Sequence, residues 1–185
     1  VACNLSGPRR ATAGAARDFV LGCKLINGKG EMLHFGGEVM KNVAGYDVSR
    51  LMAGALGTLG VLLEVSLKVL PHPEGEQTLV QECSEESAIK RMNQWAQQSL
   101  PISATCYDGA SLYVRLSGTE GTIAAARKLL GGEEVPPTRT WWHKLKEHQH
   151  AFFSSDKPLW RLSLASTTPT IPLKGKWLYE WGGAQ

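Results

Sequence analysis

The sequence predicts an α+β chain built as two units, and three observations carry that reading. The first 75 residues hold 12 of the 20 glycines, set between short alternating apolar runs. All six tryptophans fall later, between Trp95 and Trp181, where strand-like and helix-like periodicities alternate. Between the two lies Pro71-His72-Pro73-Glu74-Gly75, whose prolines and glycine stop regular structure. The units are placed at residues 1–75 and 76–185.

The first unit opens as loop. Ser6-Gly7-Pro8 and Ala13-Gly14 are turn chemistry, with Arg9, Arg10 and Arg17 supplying positive charge. Residues 19–26 read as a strand, Asn27-Gly28 as a tight hairpin turn, and residues 31–35 as the returning strand, broken by Gly36-Gly37. Asp47 is suited to cap a short helix whose apolar residues Val48, Leu51, Met52 and Ala55 recur at helical spacing. A glycine-rich turn from Gly54 to Gly60 then feeds a strand. Val61, Leu63, Val65, Leu67 and Val69 are expected on one of its faces, and Glu64, Ser66 and Lys68 on the other.

The second unit begins with a strand at residues 78–83. Ser84 caps a helix that carries Glu85 and Glu86 in its first turn and turns Ala88, Ile89, Met92, Trp95 and Ala96 inward. Ile102, Ala104 and Cys106 alternate along the next strand, Asp108-Gly109 turns the chain, and Leu112, Val114 and Leu116 return. A helix from about residue 119 to 130 buries Ile123, Ala126 and Leu130 and stops at Gly131. Strand, helix, strand, strand, helix is the start of a ferredoxin-like split β-α-β pattern. A weaker helix (Trp142, Leu145, Phe152) and two strands, near residues 160–164 and 177–181, are expected to follow.

Composition excludes several classes. Formal charge is +3, too little to suggest a nucleic-acid or membrane surface, and apolar runs such as Val61-Leu62-Leu63 are far below the ~20 residues of a membrane span. The ferredoxin-like sheet lacks the aromatic and basic order that RNA binding requires around Tyr107 and Tyr113. Cys3, Cys23, Cys83 and Cys106 are scattered without C-x-x-C spacing, which points to free thiols in a reducing, cytoplasmic setting and to no metal. His148 and His150, with His143 nearby, are read as solvated surface residues, since i and i+2 diverge on a helix. Asp18 and Asp47 lack a second acid at general acid–base spacing, so the catalytic residues stay unknown. The spacing Gly54, Gly57, Gly60 precedes a strand, the reverse of the dinucleotide fingerprint order. By itself it fits either a tight turn or a place where backbone approaches a ligand.

Three motifs, in order, resolve that choice. Val1-Ala2-Cys3-Asn4-Leu5-Ser6-Gly7 is similar to a V-A-x-N-x-G-G loop. Gly14-Ala15-Ala16-Arg17-Asp18-Phe19-Val20-Leu21-Gly22 is similar to Y-G-x-x-R-D-x-V-L-G. The stretch from Gly45-Tyr46-Asp47-Val48 through Gly57-Thr58-Leu59-Gly60-Val61 to Leu67-Lys68 and Pro71-His72-Pro73 is similar to G-Y-D-L…G-T-L-G-I…L-K-L-x-P-x-P. Together they resemble the second subdomain of the FAD-binding domain of the vanillyl-alcohol oxidase superfamily, the PCMH type. Within it, Ser6-Gly7-Pro8-Arg9-Arg10, the run from Val39 to Tyr46 and Glu180-Trp181-Gly182-Gly183-Ala184-Gln185 resemble the flavin subunits of 2-hydroxy-acid-oxidising complexes. One departure is that the family's G-S-E-G is Gly54-Ala55-Leu56-Gly57 here.

The resemblance implies FAD as a non-covalent cofactor, with a ferredoxin-like cap domain after the flavin subdomain. It implies that Asn4, Ser6 and Gly7 form the pyrophosphate loop, that Gly14 and Asp18 lie near the cofactor, and that Gly57, Gly60 and Val61 bring backbone to the adenosine end. Partners so implied are a related flavoprotein subunit and an iron–sulfur subunit. The chain begins on Val1 and ends on Gln185, so it is expected to be a piece of a longer protein that lacks the first flavin subdomain. Such a piece is expected to hold FAD weakly and to self-associate through an apolar seam. A protein-interaction or scaffolding module without its own redox chemistry is the other reading, with Trp141-Trp142 beside Pro136-Pro137 as its best patch.

Overall fold

Seven residues, Val20–Ile26, buried at Val20, Gly22, Cys23 and Leu25, form β1, and the Asn27 side chain closes the turn that follows. Its Oδ1 accepts from the backbone N–H of Lys29 (2.9 Å) and of Glu31 (3.0 Å), which fixes the hairpin to β2, Met32–Gly36. The structure, a computed structural model, describes residues 1–37, 45–136 and 139–185. Residues 39–44 and Pro137, both singled out above, lie outside the described residues. The chain divides into two compact units: Val1–Ser6 with Gly14–His72, and Gly7–Ala13 with Pro73–Gln185.

In the first unit β1 is the centre of a three-stranded antiparallel sheet, ordered β2-β1-β3, with β3 spanning Val61–Leu67. Asp47 caps the helix as expected, its Oδ1 accepting from Arg50 N at 3.0 Å, but α-helix covers only Val48–Leu51. Here Ala55 lies beyond the helix and Leu51 is exposed, while Met52 packs with Cys23 and Leu25 as the small core of this unit.

The expected single apolar face of β3 is corrected by the structure. The register steps from Lys24↔Glu64 to Leu25↔Leu62, which leaves Leu63 as the extra residue of a bulge. A bulge reverses the alternation, so Leu62 and Val65, opposite Leu25 and Cys23, share the core face. Val61, Leu63 and Leu67 are instead 61, 50 and 50% exposed.

The second unit is a five-stranded antiparallel sheet ordered β7-β4-β6-β5-β8. After the one-turn α1, Arg10–Ala13, its elements run β4 (Gly75–Glu82), α3 (Glu85–Ala96), β5 (Ile102–Tyr107), β6 (Ser111–Gly118), α4 (Glu120–Leu130), β7 (Glu133–Val135), α5 (Arg139–Lys146) and β8 (Tyr179–Glu180). The helix of the first unit, Val48–Leu51, is α2 in this order. Ser84 and Thr119 cap α3 and α4 through Ser87 N and Thr122 N, each at 3.3 Å.

Both faces of this sheet are covered. Leu79, Leu112, Val114 and Leu116 meet Ala88, Met92, Ile123, Ala126 and Leu130 of α3 and α4. Ala104 and Cys106 face the other way, toward Trp142 and Leu145 of α5. Ala96, expected to face inward, is exposed at the end of α3.

For the tryptophan pair, expected either to pack in a core or to form a patch, the structure favours the core. Trp142 is 4% exposed, its Nε1–H donates to Thr78 Oγ1 at 2.9 Å, and Trp141 stacks on Tyr113 at 4.1 Å. The pair is core of this unit, not an open patch. His148 and His150 lie past the end of α5, where His150 is half-buried against Trp141, 5.3 Å between ring centroids.

The late strands are corrected too. Residues 160–164 hold no strand, and β8 keeps two residues of the expected five. Trp160, at 81% exposed, has no sheet to join. Among the described residues no helix is long and apolar enough to cross a membrane.

Candidate functional site

The residues expected to meet a cofactor fall into two groups. The first surrounds the 3₁₀ turn Ala16–Asp18. Asn4 Oδ1 accepts from Arg17 N at 3.3 Å, Ser6 Oγ from Ala16 N at 3.2 Å, and Asp18 Oδ2 from Ala15 N at 2.8 Å. Each of these three oxygens is engaged by a backbone N–H, which fixes the shape of the loop, while the Ser6 hydroxyl keeps its own O–H to donate. Gly14 sits against the Asp18 carboxylate, which lies 3.1 Å from where a Cβ would stand. Gly54 lies equally close to Asn4, and Leu56 N–H donates to the Ala2 carbonyl at 3.0 Å. The N-terminal loop and the turn after α2 are therefore one piece of structure. Only the G-x-x-G-x-x-G spacing hinted that Gly54 belongs to it.

What the loop leaves over is backbone. The N–H groups of Leu5, Ser6 and Gly7, consecutive along the chain, have no acceptor among the described residues. Amides left without a protein acceptor can donate to an anionic oxygen, such as those of a pyrophosphate. On the chemistry of its donors the loop fits the phosphate part of FAD.

Gly57, Gly60 and Val61 form the second group, at the start of β3, and no hydrogen bond joins them to Asn4, Ser6 or Asp18 among the described residues. Gly60 has φ +149°, and a Cβ there would stand 2.6 Å from the Ile26 carbonyl oxygen. The close approach that requires this glycine is to β1, within the sheet. Gly57 differs: φ is +81° with nothing within 4 Å of a Cβ, so its side is open. Val61 pairs with Ile26 and is exposed.

The second unit holds one titratable group that sequence reading passed over. Glu180 is 9% exposed, and its Oε1 has no hydrogen-bond partner among the described residues. Burial pushes its carboxyl up from 4.5 to about 7, against the opposing pull of the Arg161 charge. Backbone bonds from Glu180 N to Gln185 O (2.7 Å) and from Gln185 N to Glu180 O (3.3 Å) pair the two residues, and Gln185 Oε1 is also buried without a donor. Nearby, burial and then the Glu180 charge push the Cys106 thiol well above 9. No signal in the sequence reveals Glu180, because its burial comes from strands distant along the chain. Among the described residues, no three His, Cys, Asp or Glu side chains gather to hold a metal ion.

Comparisons with known proteins place this geometry. No protein-family model matches the chain. Over 184 residues it is 53% identical to glycolate oxidase subunit GlcE of Escherichia coli (strain K12), covering 100% of this chain and 52% of that protein. Glycolate oxidase subunit GlcD of Bacillus subtilis (strain 168) is 40% identical over 77 residues, 42% of this chain and 16% of that one. A solved alkyldihydroxyacetonephosphate synthase superposes with a TM-score of 0.60 at 15% identity, over 80% of this chain and 36% of that one. The chain thus spans about half the length of the GlcE it matches, is similar to it along the whole of this chain, and has a fold also found in the synthase.

Proposed function

From that whole-chain relationship, we propose that this chain is part of the flavin-binding subunit of a glycolate oxidase-type complex, an FAD-dependent oxidoreductase of 2-hydroxy acids. The observation that carries this reading is the row of free N–H donors at Leu5, Ser6 and Gly7, in the motif that resembles a flavin loop. Asn4, Ser6 and Asp18 hold the loop around Ala16–Asp18, and the three amides bind the pyrophosphate oxygens. Gly57 offers an open backbone position at the adenosine end. FAD, when bound, supplies the two-electron acceptor; this chain binds and orients it.

The role that fits best is electron relay or support, since no acid–base pair accompanies the flavin loop among the described residues of the first unit. Partners in this reading are a related flavoprotein D subunit and an iron–sulfur F subunit, in a cytoplasmic complex. The strand order of the second unit, β7-β4-β6-β5, supports a ferredoxin-like cap. The visible absorption spectrum of the purified full-length protein tests the proposal. Flavin bands released on denaturation are expected; a protein that takes up no flavin when FAD is added would refute it.

A further inference from the structure

In the second unit, the stretch from residue 154 to 178, between the 3₁₀ turn Ala151–Phe153 and β8, holds no helix or strand. Pro158, Pro169 and Pro172 fix backbone angles along it and withhold N–H donors, so no amphipathic helix is presented. It is nonetheless tied down. Leu164 N–H donates to the Ala184 carbonyl (3.2 Å), Asn93 Nδ2–H to the Ser166 carbonyl (2.7 Å), Ser166 Oγ–H to Asn93 Oδ1 (2.9 Å) and Trp177 Nε1–H to the Leu173 carbonyl (3.3 Å). What the segment turns outward is apolar and basic. Leu159, Trp160 and Leu173 are 58, 81 and 59% exposed. Lys157, Arg161, Lys174 and Lys176, all exposed, stand against a single acid, Asp156, so the segment carries +3, the formal charge of the whole chain. Arg161 lies 4.7 Å from the Trp181 ring centroid, while the three lysines make no ion pair among the described residues.

We propose that residues 154–178 are a protein-docking surface anchored by Trp160, and that the partner is a second subunit of the complex, presenting an apolar pocket rimmed by carboxylates. This inference rests on the reading of the chain as part of a multi-subunit complex. Charge complementarity chooses the occupant. Lysines without ion partners gain from carboxylates across an interface, and the rest of the chain, neutral in sum, offers no comparable attraction. Tryptophan is enriched at the energetic centre of interfaces, and burying an indole this exposed removes a large apolar area from water. A segment already held by its own hydrogen bonds loses little freedom on docking, which suits a shaped protein pocket. A lipid surface is met by an amphipathic helix with a broad apolar face, and this segment has no helix.

The test is association of the full-length protein with the two proposed partner subunits, read by size-exclusion chromatography and calorimetry. Trp160→Ala is expected to weaken it about 30-fold or more, the worth of a buried interface tryptophan. Lys174→Glu combined with Lys176→Glu is expected to weaken it about 10-fold at low salt and less at high salt. Lys128→Glu, on α4, changes the net charge elsewhere in the unit and is expected to leave association as it was. Trp160 stands in water, so its loss is expected to leave the thermal midpoint and flavin content of the isolated subunit unchanged. Segment variants that associate as tightly as the wild type would overturn the docking surface and leave the complex intact. A wild-type protein that associates with neither subunit would overturn the complex and this surface together. Binding of the wild type to phosphatidylglycerol vesicles, or to itself in analytical ultracentrifugation, that Trp160→Ala loses while keeping its subunit association would give the segment to lipid or to a second copy, and overturn the proposal.

Discussion

Glu180→Gln should stabilise this protein, and only above acid pH. The folded carboxyl titrates at about 7, whereas in the unfolded chain it returns to about 4.5. As pH rises past 4.5 the unfolded state loses its proton first, so folding stability falls through this window and levels off above about 7. Below 4.5 both states are protonated and the group contributes nothing. At 1.36 kcal/mol per pH unit the loss amounts to about 3 kcal/mol when complete. The charged and titratable groups coupled to Glu180 are Arg161, whose charge lowers the value, and Cys106. Glutamine is isosteric and does not titrate. Urea denaturation followed by tryptophan fluorescence at a series of pH values reads the effect directly. The two proteins should agree near pH 4.5 and diverge to about 3 kcal/mol in favour of the variant by about pH 8. Parallel stability curves for the two would refute the assignment of a buried, raised carboxyl.

Two further outcomes are expected. Gly60→Ala drives a methyl to 2.6 Å from the Ile26 carbonyl and should cost about 2–4 kcal/mol, whereas Gly57→Ala meets open space and should cost only the 1–2 kcal/mol of a left-handed alanine; equal losses in thermal denaturation would contradict the sheet-contact account of Gly60. Among the thiols, Cys3 is exposed and should react with Ellman's reagent in the native protein, while buried Cys106, with its thiol pKa raised by burial, should react only on unfolding. Mass-spectrometric mapping that finds Cys106 labelled as fast as Cys3 would overturn that order.

The sequence by itself determined the local devices. Asn27 marked the first hairpin, although the loop runs over residues 27–31 with Gly30 as its left-handed glycine, Asp47 and Ser84 capped their helices, and the apolar spacing of Ile123, Ala126 and Leu130 named the buried stripe of α4. Each depends on residues within about one helical turn, so composition and period suffice. The three flavin-type motifs were legible for the same reason, as short runs with a fixed order.

Tertiary structure decided the rest. The bulge at Leu63 answers to the register that β1 imposes, and it exposes Val61, Leu63 and Leu67, which strict alternation placed on one face with Val65. Trp142 is buried because β4 offers Thr78 as its hydrogen-bond partner, 64 residues away in the chain. The segment near Trp160 forms no strand, whatever its apolar content, because a strand exists only where another strand accepts its hydrogen bonds. Glu180 carries its perturbed carboxyl for a related reason: β8 pairs with Cys106 and Tyr107 of β5, and that pairing takes the side chain out of water.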